Sequence, residues 1–138
     1  MILLDTDHIS ILQVRSERRF QLVERLESAD QPIATTVITL EEQSRGWITA
    51  LGRRKSVVDQ VVPYAKLRAM NRFFASWKIL SFDESAAECF GGLRKRRIRI
   101  GSSDLKIASI AICNDALLLT ANAKDFGRVP GLRFEDWG

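Results

Sequence analysis

Short apolar runs that recur along the chain are the sequence feature that most constrains the fold. The run Ile2–Leu4 is closed by Asp5, and similar runs begin at Ile33, Ile79 and Leu117. Each is long enough for a buried strand and too short for an ordinary helix. Longer stretches with apolar residues at helical spacing separate the runs. This alternation predicts an α/β fold, with a short and mostly parallel sheet flanked by helices in a three-layer α/β/α arrangement.

The predicted elements fill the chain. We expect strands at residues 2–4, 33–38, 79–82, 117–120 and 132–134, and helices at 9–15, 17–29, 40–54, 56–77, 84–97 and 103–113. Pro63 falls inside the fourth of these helices and predicts a kink, because proline lacks the amide hydrogen that an interior helical position needs. With 138 residues the sequence has the length of one domain, which we expect to span residues 1–138.

The charge is concentrated rather than spread evenly. The formal net charge is only +4, yet residues 45–78 contain eight basic residues and one acid, and residues 91–99 contain five basic residues and no acid. Such tracts are commonly solvated helix faces, and they also suit the phosphates of a nucleic acid. The candidate phosphate contacts are Arg53, Arg54, Lys55, Arg94, Lys95, Arg96, Arg97 and Arg99.

Acidic and amide side chains follow the predicted strands or begin the predicted helices. Asp5 closes the first strand, and Asn122 and Asp125 follow the strand that begins at Leu117. Asp104 starts a helix and points along its apolar face, where a carboxylate needs a partner. Since parallel α/β sheets bind ligands beyond the carboxyl ends of their strands, these side chains predict a site at that edge.

Glu42 admits two interpretations from the residues alone. Thr39 and Glu42 fit a capping box, in which the glutamate bonds back to the first residue of the helix. Alternatively, Gly46 and Ala50 on the same helix face leave space beside the Glu42 carboxylate, as a binding site would require. The sequence leaves both open.

Asp7 and His8, close behind Asp5, have simpler explanations. Asp7 fits the N-cap of the first helix, and it is also placed to help a site at Asp5. His8, the single histidine, is expected at the surface near the helix start rather than as a general base. One histidine and two cysteines without ligand spacing also argue against a zinc site.

Several carboxylates held together repel one another unless a cation neutralises them. Oxygen ligands favour Mg²⁺ or Mn²⁺, which can clamp a phosphodiester and activate a bound water. The acids and the basic tracts therefore predict a metal-dependent hydrolase that acts on phosphodiester bonds.

Four stretches of the chain resemble, in the same order, the PIN-domain family and specifically the VapC-type toxins of bacterial toxin–antitoxin modules. The stretches are residues 1–10, 36–46, 100–111 and 117–137, which leave residues 11–35 and 47–99 without a distinctive match. The resemblance implies a PIN-like fold and Mg²⁺- or Mn²⁺-dependent endoribonuclease activity on an RNA substrate. It also implies inhibition by a cognate antitoxin protein and a homodimer.

By position, the resemblance assigns metal binding and catalysis to Asp5, Glu42 and Asp104. Many relatives carry an aspartate where this chain has Asn122, so either Asn122 or Asp125 fills the fourth catalytic position. Asp7 stands where relatives commonly have asparagine, which suggests a polar helper role.

Two other functions stay open. The Asn122 departure favours a weak or inactive PIN-like domain that binds RNA or a partner without cutting. The Asp5-Thr6-Asp7 triplet superficially fits a DxD-type phosphatase, although the other motifs of that class cannot be placed. We expect a cytoplasmic protein that does not contact membranes, since no apolar run approaches the ~18 residues of a membrane span.

Overall fold

Strands and helices alternate along the computed structural model, which describes all of residues 1–138. The strands are β1 (Ile2–Leu4), β2 (Ile33–Thr36), β3 (Ile79–Leu80), β4 (Leu117–Leu119) and β5 (Phe134–Glu135). The helices are α1 (Thr6–Gln13), α2 (Glu17–Ala29), α3 (Val37–Gly52), α4 (Val61–Phe74), α5 (Glu84–Lys95), α6 (Ser102–Cys113) and α7 (Ala123–Phe126), and a 3₁₀ turn covers Val58–Gln60. None of the helices is long and apolar enough to cross a membrane.

The five strands form one sheet in the order β3-β2-β1-β4-β5, and every neighbouring pair is parallel. The first strand therefore lies in the middle, where Leu3 pairs with Ala34 of β2 and Leu118 of β4. All five strands consequently present their carboxyl ends at the same edge. The mostly parallel sheet predicted from the sequence is confirmed.

Both faces of the sheet are covered by helices, because successive strand residues point to opposite sides. Leu3 and Leu118 pack against α5 and α6, whereas Ile2 and Leu4 pack against α1, α2 and α4. These strand residues are fully buried. Each such side chain contributes roughly 1.5–3 kcal/mol by burial. The predicted three-layer α/β/α arrangement is confirmed.

Several predicted element boundaries are wrong, and two of them have a clear physical reason. The strand expected at residues 33–38 ends at Thr36, whose hydroxyl caps α3 by accepting from the Thr39 amide at 3.2 Å. This cap outweighs the strand preference of Val37 and Ile38, which lie in the first helical turn. The kink expected at Pro63 is absent because α4 begins at Val61. Proline is tolerated in a first helical turn, where an amide hydrogen has no helical partner.

Candidate active site

The carboxyl edge of the sheet gathers acids that are far apart in sequence. Asp5 follows β1 directly, α3 leaves the neighbouring β2 and carries Glu42, and Asn122 follows β4 on the other side. Asp104 lies in the first turn of α6. A hydrogen bond from the Asn122 side chain joins it to this edge. The structure thus brings together the residues that the sequence predicted for a site.

Asp5 is buried, with 6% of its surface exposed, and it is the N-cap of α1. Its Oδ1 accepts from the Thr6 amide at 2.7 Å, and its Oδ2 accepts from the Thr120 hydroxyl at 2.8 Å. Burial and the nearby Asp7 carboxylate raise the pKa of Asp5 to about 6. The N-cap expected at Asp7 is therefore wrong, because Asp5 already occupies that position.

Glu42 faces the same site from the second turn of α3. The Thr6 hydroxyl donates to its Oε1 at 3.0 Å, which ties Glu42 to the residue beside Asp5. Burial raises the pKa of Glu42, and the charge of Asp104 adds to the rise. The capping-box interpretation is excluded because α3 starts at Val37, with Thr36 as its cap.

Asn122 lies between two carboxylates. Its side-chain nitrogen donates to Oδ2 of Asp104 at 3.3 Å and to Oδ2 of Asp125 at 3.1 Å. Burial raises the pKa of Asp104, and the charges of Asp125 and Asp7 raise it further. Asn122 is thus a neutral donor that reduces the repulsion between two acids.

His8 is fully buried, so the prediction of a surface histidine is wrong. Its Nδ1 lies 2.6 Å from Oδ1 of Asp7, and its Nε2 accepts from the Trp137 amide at 3.0 Å. Burial alone would raise the pKa of Asp7, but hydrogen bonds from His8 and the Ala121 amide outweigh it and lower that pKa. Asp7 therefore stays ionised beside the site.

The central acids have no cation of their own. No lysine, arginine or histidine forms an ion pair with Asp5, Glu42 or Asp104. Burial raises the pKa values of all three acids, and neighbouring carboxylates raise them further. A divalent cation with a preference for oxygen ligands would supply the neutralising charge. The donor chemistry fits such an ion. The spacing does not form a ready coordination sphere, because no group of three or more acidic, histidine or cysteine side chains is placed to hold a metal.

A polar groove of about 460 Å³ extends from Glu42. Arg45, Arg53 and Ser103 line it, and no apolar residue does. Arg45 pairs with Glu41 at 3.0 Å and was missed by the sequence analysis, although its position three residues after Glu42 places both on one helix face. Arg53 is the one predicted phosphate contact that the structure places in this groove.

The other seven predicted phosphate contacts lie elsewhere on the surface. All are exposed, and none forms an ion pair. Two follow α3, and five span the end of α5 and the segment that leads to α6: Arg54, Lys55, Arg94, Lys95, Arg96, Arg97 and Arg99. Arg94 lies over the Phe90 ring at 5.4 Å, so part of this tract is held by packing.

A second, larger groove of about 880 Å³ lies between α1, α3 and α4. Its apolar floor includes Trp47, Met70 and Phe73. Its basic residues are Arg15, Arg19 and Lys66, and no acidic residue lines it. Gly46 borders both this groove and the polar groove, so the two meet on α3.

Comparisons with known proteins agree with this geometry, although no protein-family model matches the chain. The chain is 38% identical over 69 residues to ribonuclease VapC2 of Rickettsia felis, which covers 47% of this chain and 52% of the relative. It is 31% identical over 81 residues to the tRNA(fMet)-specific endonuclease VapC of Salmonella typhimurium, covering 56% and 61%. The chain thus matches little more than half the length of these relatives.

The solved structures that match this chain cover its whole length. VapBC2 of Rickettsia felis bound to promoter DNA matches with a TM-score of 0.75 at 28% identity, over 100% of both chains. DNA-bound VapBC of Salmonella typhimurium matches with a TM-score of 0.77 at 27% identity, also over 100% of both.

The parallel sheet and the acids at its carboxyl edge define a PIN-like α/β domain. Within that class the chain is similar to the VapC ribonucleases and to the VapBC structures named above, as the sequence resemblance predicted.

Proposed function

We propose that this protein is a metal-dependent endoribonuclease toxin that hydrolyses RNA phosphodiester bonds and is inhibited by a cognate antitoxin. The observation that carries the proposal is the convergence of Asp5, Glu42 and Asp104, none of which forms an ion pair with a basic side chain. The relatives named as ribonucleases and the neighbours solved as VapBC complexes support the same function.

Asp5, Glu42 and Asp104 would hold Mg²⁺ or Mn²⁺. When bound, it would lower the pKa of a water molecule and stabilise the leaving oxygen. Thr120 and Thr6 orient the Asp5 carboxylate, and Thr6 also orients Glu42. Asn122 fixes Asp104 and Asp125 through one amide group, so it supports the acids without adding charge.

The polar groove beside the acids is the proposed binding site for RNA. Arg45 and Arg53 place positive charge next to Glu42, where the phosphates that flank the reacting bond would lie. The remaining basic residues of the two tracts are exposed and free of ion pairs, so they extend the attraction for the RNA backbone.

The antitoxin is the occupant that we propose for the larger groove. An apolar floor with basic residues and no acids suits an amphipathic, acidic segment of a partner protein. Because Gly46 borders both grooves, a segment bound here would reach the mouth of the polar groove and obstruct RNA. The replacement Val14→Glu at the groove should weaken binding of the neighbouring gene's product by about tenfold or more. Ile48→Glu, on an exposed position outside the groove, serves as the control.

A homodimer is the proposed assembly. Val57, Val58, Val61, Val62 and Tyr64 form a run of large apolar side chains that are 58–82% exposed. Exposed apolar patches of this kind mark protein interfaces. Light scattering should report two copies for the wild type and one for Val58→Asp. The proposed location is the cytoplasm, where an RNA substrate is available.

The decisive experiment measures RNA cleavage with added Mg²⁺. Asp5→Asn and Asp104→Asn should each abolish cutting, since both replacements keep the shape and remove the charge. Asp115→Asn is the matched control, because Asp115 is 96% exposed and lies before β4, at the opposite edge of the sheet. Equal cutting by all four proteins would exclude the site. Carboxylate-independent Mg²⁺ binding together with no cutting would favour the inactive RNA- or partner-binding domain instead.

A further inference from the structure

The buried histidine joins the two ends of the chain. His8 lies on α1 near the amino terminus, and the Trp137 amide that it accepts from lies beyond β5, 129 positions away. Both ring nitrogens are engaged, since Nδ1 lies 2.6 Å from Asp7. A fully buried imidazole with both nitrogens bonded has one orientation, so His8 holds its two partners in a fixed relation.

The hydrogen bonds define the form of the ring. The Trp137 amide hydrogen points at Nε2, so this nitrogen carries the lone pair. The proton therefore resides on Nδ1 and is donated to Oδ1 of Asp7. Asp136 lies 3.4 Å from Nε2 without a hydrogen bond to it, and its Oδ1 accepts from the Gly138 amide at 2.9 Å. Donation thus runs from Trp137 to His8 and from His8 to Asp7.

Asp7 passes this constraint to the loop after β4. Its Oδ2 accepts from the Ala121 amide at 2.9 Å and lies 3.3 Å from the Thr120 hydroxyl. Thr120 bonds Asp5, and Asn122 bonds Asp104. The loop 120–122 therefore carries contacts to two of the proposed metal ligands, and Asp7 fixes the loop at its centre.

The tail that supplies the Trp137 amide is itself fixed. The Thr120 amide donates to the Glu135 carbonyl at 2.9 Å, which pairs β4 with β5. The Trp137 indole donates to Oε2 of Glu135 at 2.6 Å, and its ring lies 4.2 Å from the Arg25 guanidinium of α2. A tail held on two sides can hold His8 in place.

We propose that the Trp137 amide, His8 and Asp7 form a positioning relay that sets the loop 120–122 and, through it, the orientation of Asp5 and Asp104. The relay rests on the endoribonuclease function proposed above, in which those two acids bind the metal. His8 and Trp137 touch no reacting atom, so they are positioning residues. The relay makes the tail beyond β5 a working part of the active site.

Two variants break the same hydrogen bond from opposite sides. Trp137→Pro removes the amide hydrogen, and Trp137→Ala is its control because it keeps that hydrogen and loses the indole. His8→Asn places an amide where Nδ1 stood, so it still reaches Asp7 but no longer reaches Trp137. Asp7 itself is kept in all three variants, so a weaker bond from the Ala121 amide to Asp7 would report the loss of the relay.

The experiment measures kcat, KM and amide hydrogen exchange of residues 121 and 122 in each variant. Loss of such supporting contacts lowers activity by about 10- to 100-fold. We expect this loss in kcat for Trp137→Pro and His8→Asn, with KM within about twofold of wild type because the polar groove is untouched. Exchange at 121 and 122 should accelerate in both, and Trp137→Ala should retain more of the rate and more protection than Trp137→Pro.

The double variant Trp137→Pro/His8→Asn separates a relay from general destabilisation. Both changes remove one shared bond, so the double variant should lose no more kcat than the worse single variant. Additive losses would overturn the relay, and so would wild-type exchange at 121 and 122 in both single variants. If the wild-type protein cuts no RNA, the proposed function fails, yet the exchange measurements still decide whether the relay exists.

Discussion

The Thr120 hydroxyl donates to Oδ2 of Asp5 at 2.8 Å, although the two residues are 115 positions apart in sequence. This bond stabilises the ionised form of a buried carboxylate whose pKa is already raised to about 6. Thr120 also accepts from the Asn122 amide at 3.1 Å, so its single proton is committed to an acid. The strength of this bond can be tested through Asp5.

Thr120→Val should raise the pKa of Asp5 further, because the carboxylate loses its hydroxyl donor. A hydrogen bond to a charged group is worth about 1.5–3 kcal/mol, so a shift of at least about one pH unit is expected. Carbon-13 NMR of the Asp5 carboxyl group in metal-free buffer measures it. Thr120→Ser keeps the hydroxyl and should titrate near the wild-type value. An unchanged pKa of Asp5 in Thr120→Val would show that the Thr120 hydroxyl does not stabilise the Asp5 carboxylate.

Asp5→Asn should stabilise the metal-free protein at neutral pH. The pKa of Asp5 rises from 3.8 to about 6 on folding, so between those values the folded state holds a proton that the unfolded state has released. The contribution of Asp5 to stability therefore falls as pH rises from about 4 to about 6 and stays low above that. The full effect is about 3 kcal/mol by linkage.

Urea unfolding in chelator at pH 4.5 and pH 7.5 tests this prediction. The stability gain of Asp5→Asn over wild type should be larger at pH 7.5. Asp115→Asn changes an exposed acid and should show no such gain. A gain of equal size at both pH values would contradict the raised pKa of Asp5.

Mg²⁺ should raise the melting temperature of the wild type and leave that of Asp5→Asn nearly unchanged. A ligand at about 100 times its dissociation constant stabilises the folded state by about 2.7 kcal/mol. Because protons compete for the same carboxylates, the shift should be greater at pH 7.5 than at pH 5. Differential scanning fluorimetry measures it, and an equal shift in both proteins would place the metal elsewhere.

Two replacements at Gly46 distinguish the stability of α3 from access to the two grooves. A β-carbon there would meet no atom within 4 Å, so Gly46→Ala should stabilise α3 by about 0.5–1 kcal/mol without affecting activity much. Gly46→Leu should fill the space that both grooves share, raising KM for RNA and weakening antitoxin binding. Thermal unfolding and cleavage kinetics test both variants. Equal KM values for the two would show that the grooves do not meet in a functional way.

Arg53→Ala should weaken RNA binding and reduce its dependence on salt, because one phosphate contact contributes about one unit to the slope of log affinity against log salt. Binding to a non-cleaved RNA at several salt concentrations measures this slope. Arg133→Ala is the control, since Arg133 bonds Asp115 near the start of β4, away from the groove. Similar slopes for both variants would exclude Arg53 as a phosphate contact.

The positions of site residues that directly follow a strand were predictable, because the apolar run that marks the strand lies next to them in the sequence. The apolar run Ile2–Leu4 fixes where Asp5 lies, and the parallel sheet then brings it near the first turn of α6, which carries Asp104. Glu42 was ambiguous because its role depends on where β2 ends, and Thr36 and Thr39 are equally good caps in sequence. The choice between them is made by the pairing of Thr36 with Leu80 in β3.

His8 could not be predicted because its environment is created by distant residues. Its burial depends on the Trp137 amide and the β5 tail, and a main-chain donor leaves no trace in side-chain patterns. The local pattern showed only a polar residue in the first turn of α1. Arg45 differs, because its spacing from Glu42 is visible in the sequence. The groove that both residues line is created by the fold and is not visible there.

The position of β1 between β2 and β4 has a consequence for synthesis on the ribosome. Asp5 is synthesised first, and the Thr120 hydroxyl that orients it is synthesised 115 residues later, after Asp104. A nascent chain therefore carries its earliest acid long before the site can close around it. The ribosome that makes this protein meets no assembled acid cluster until the segment that contains Thr120 has been made.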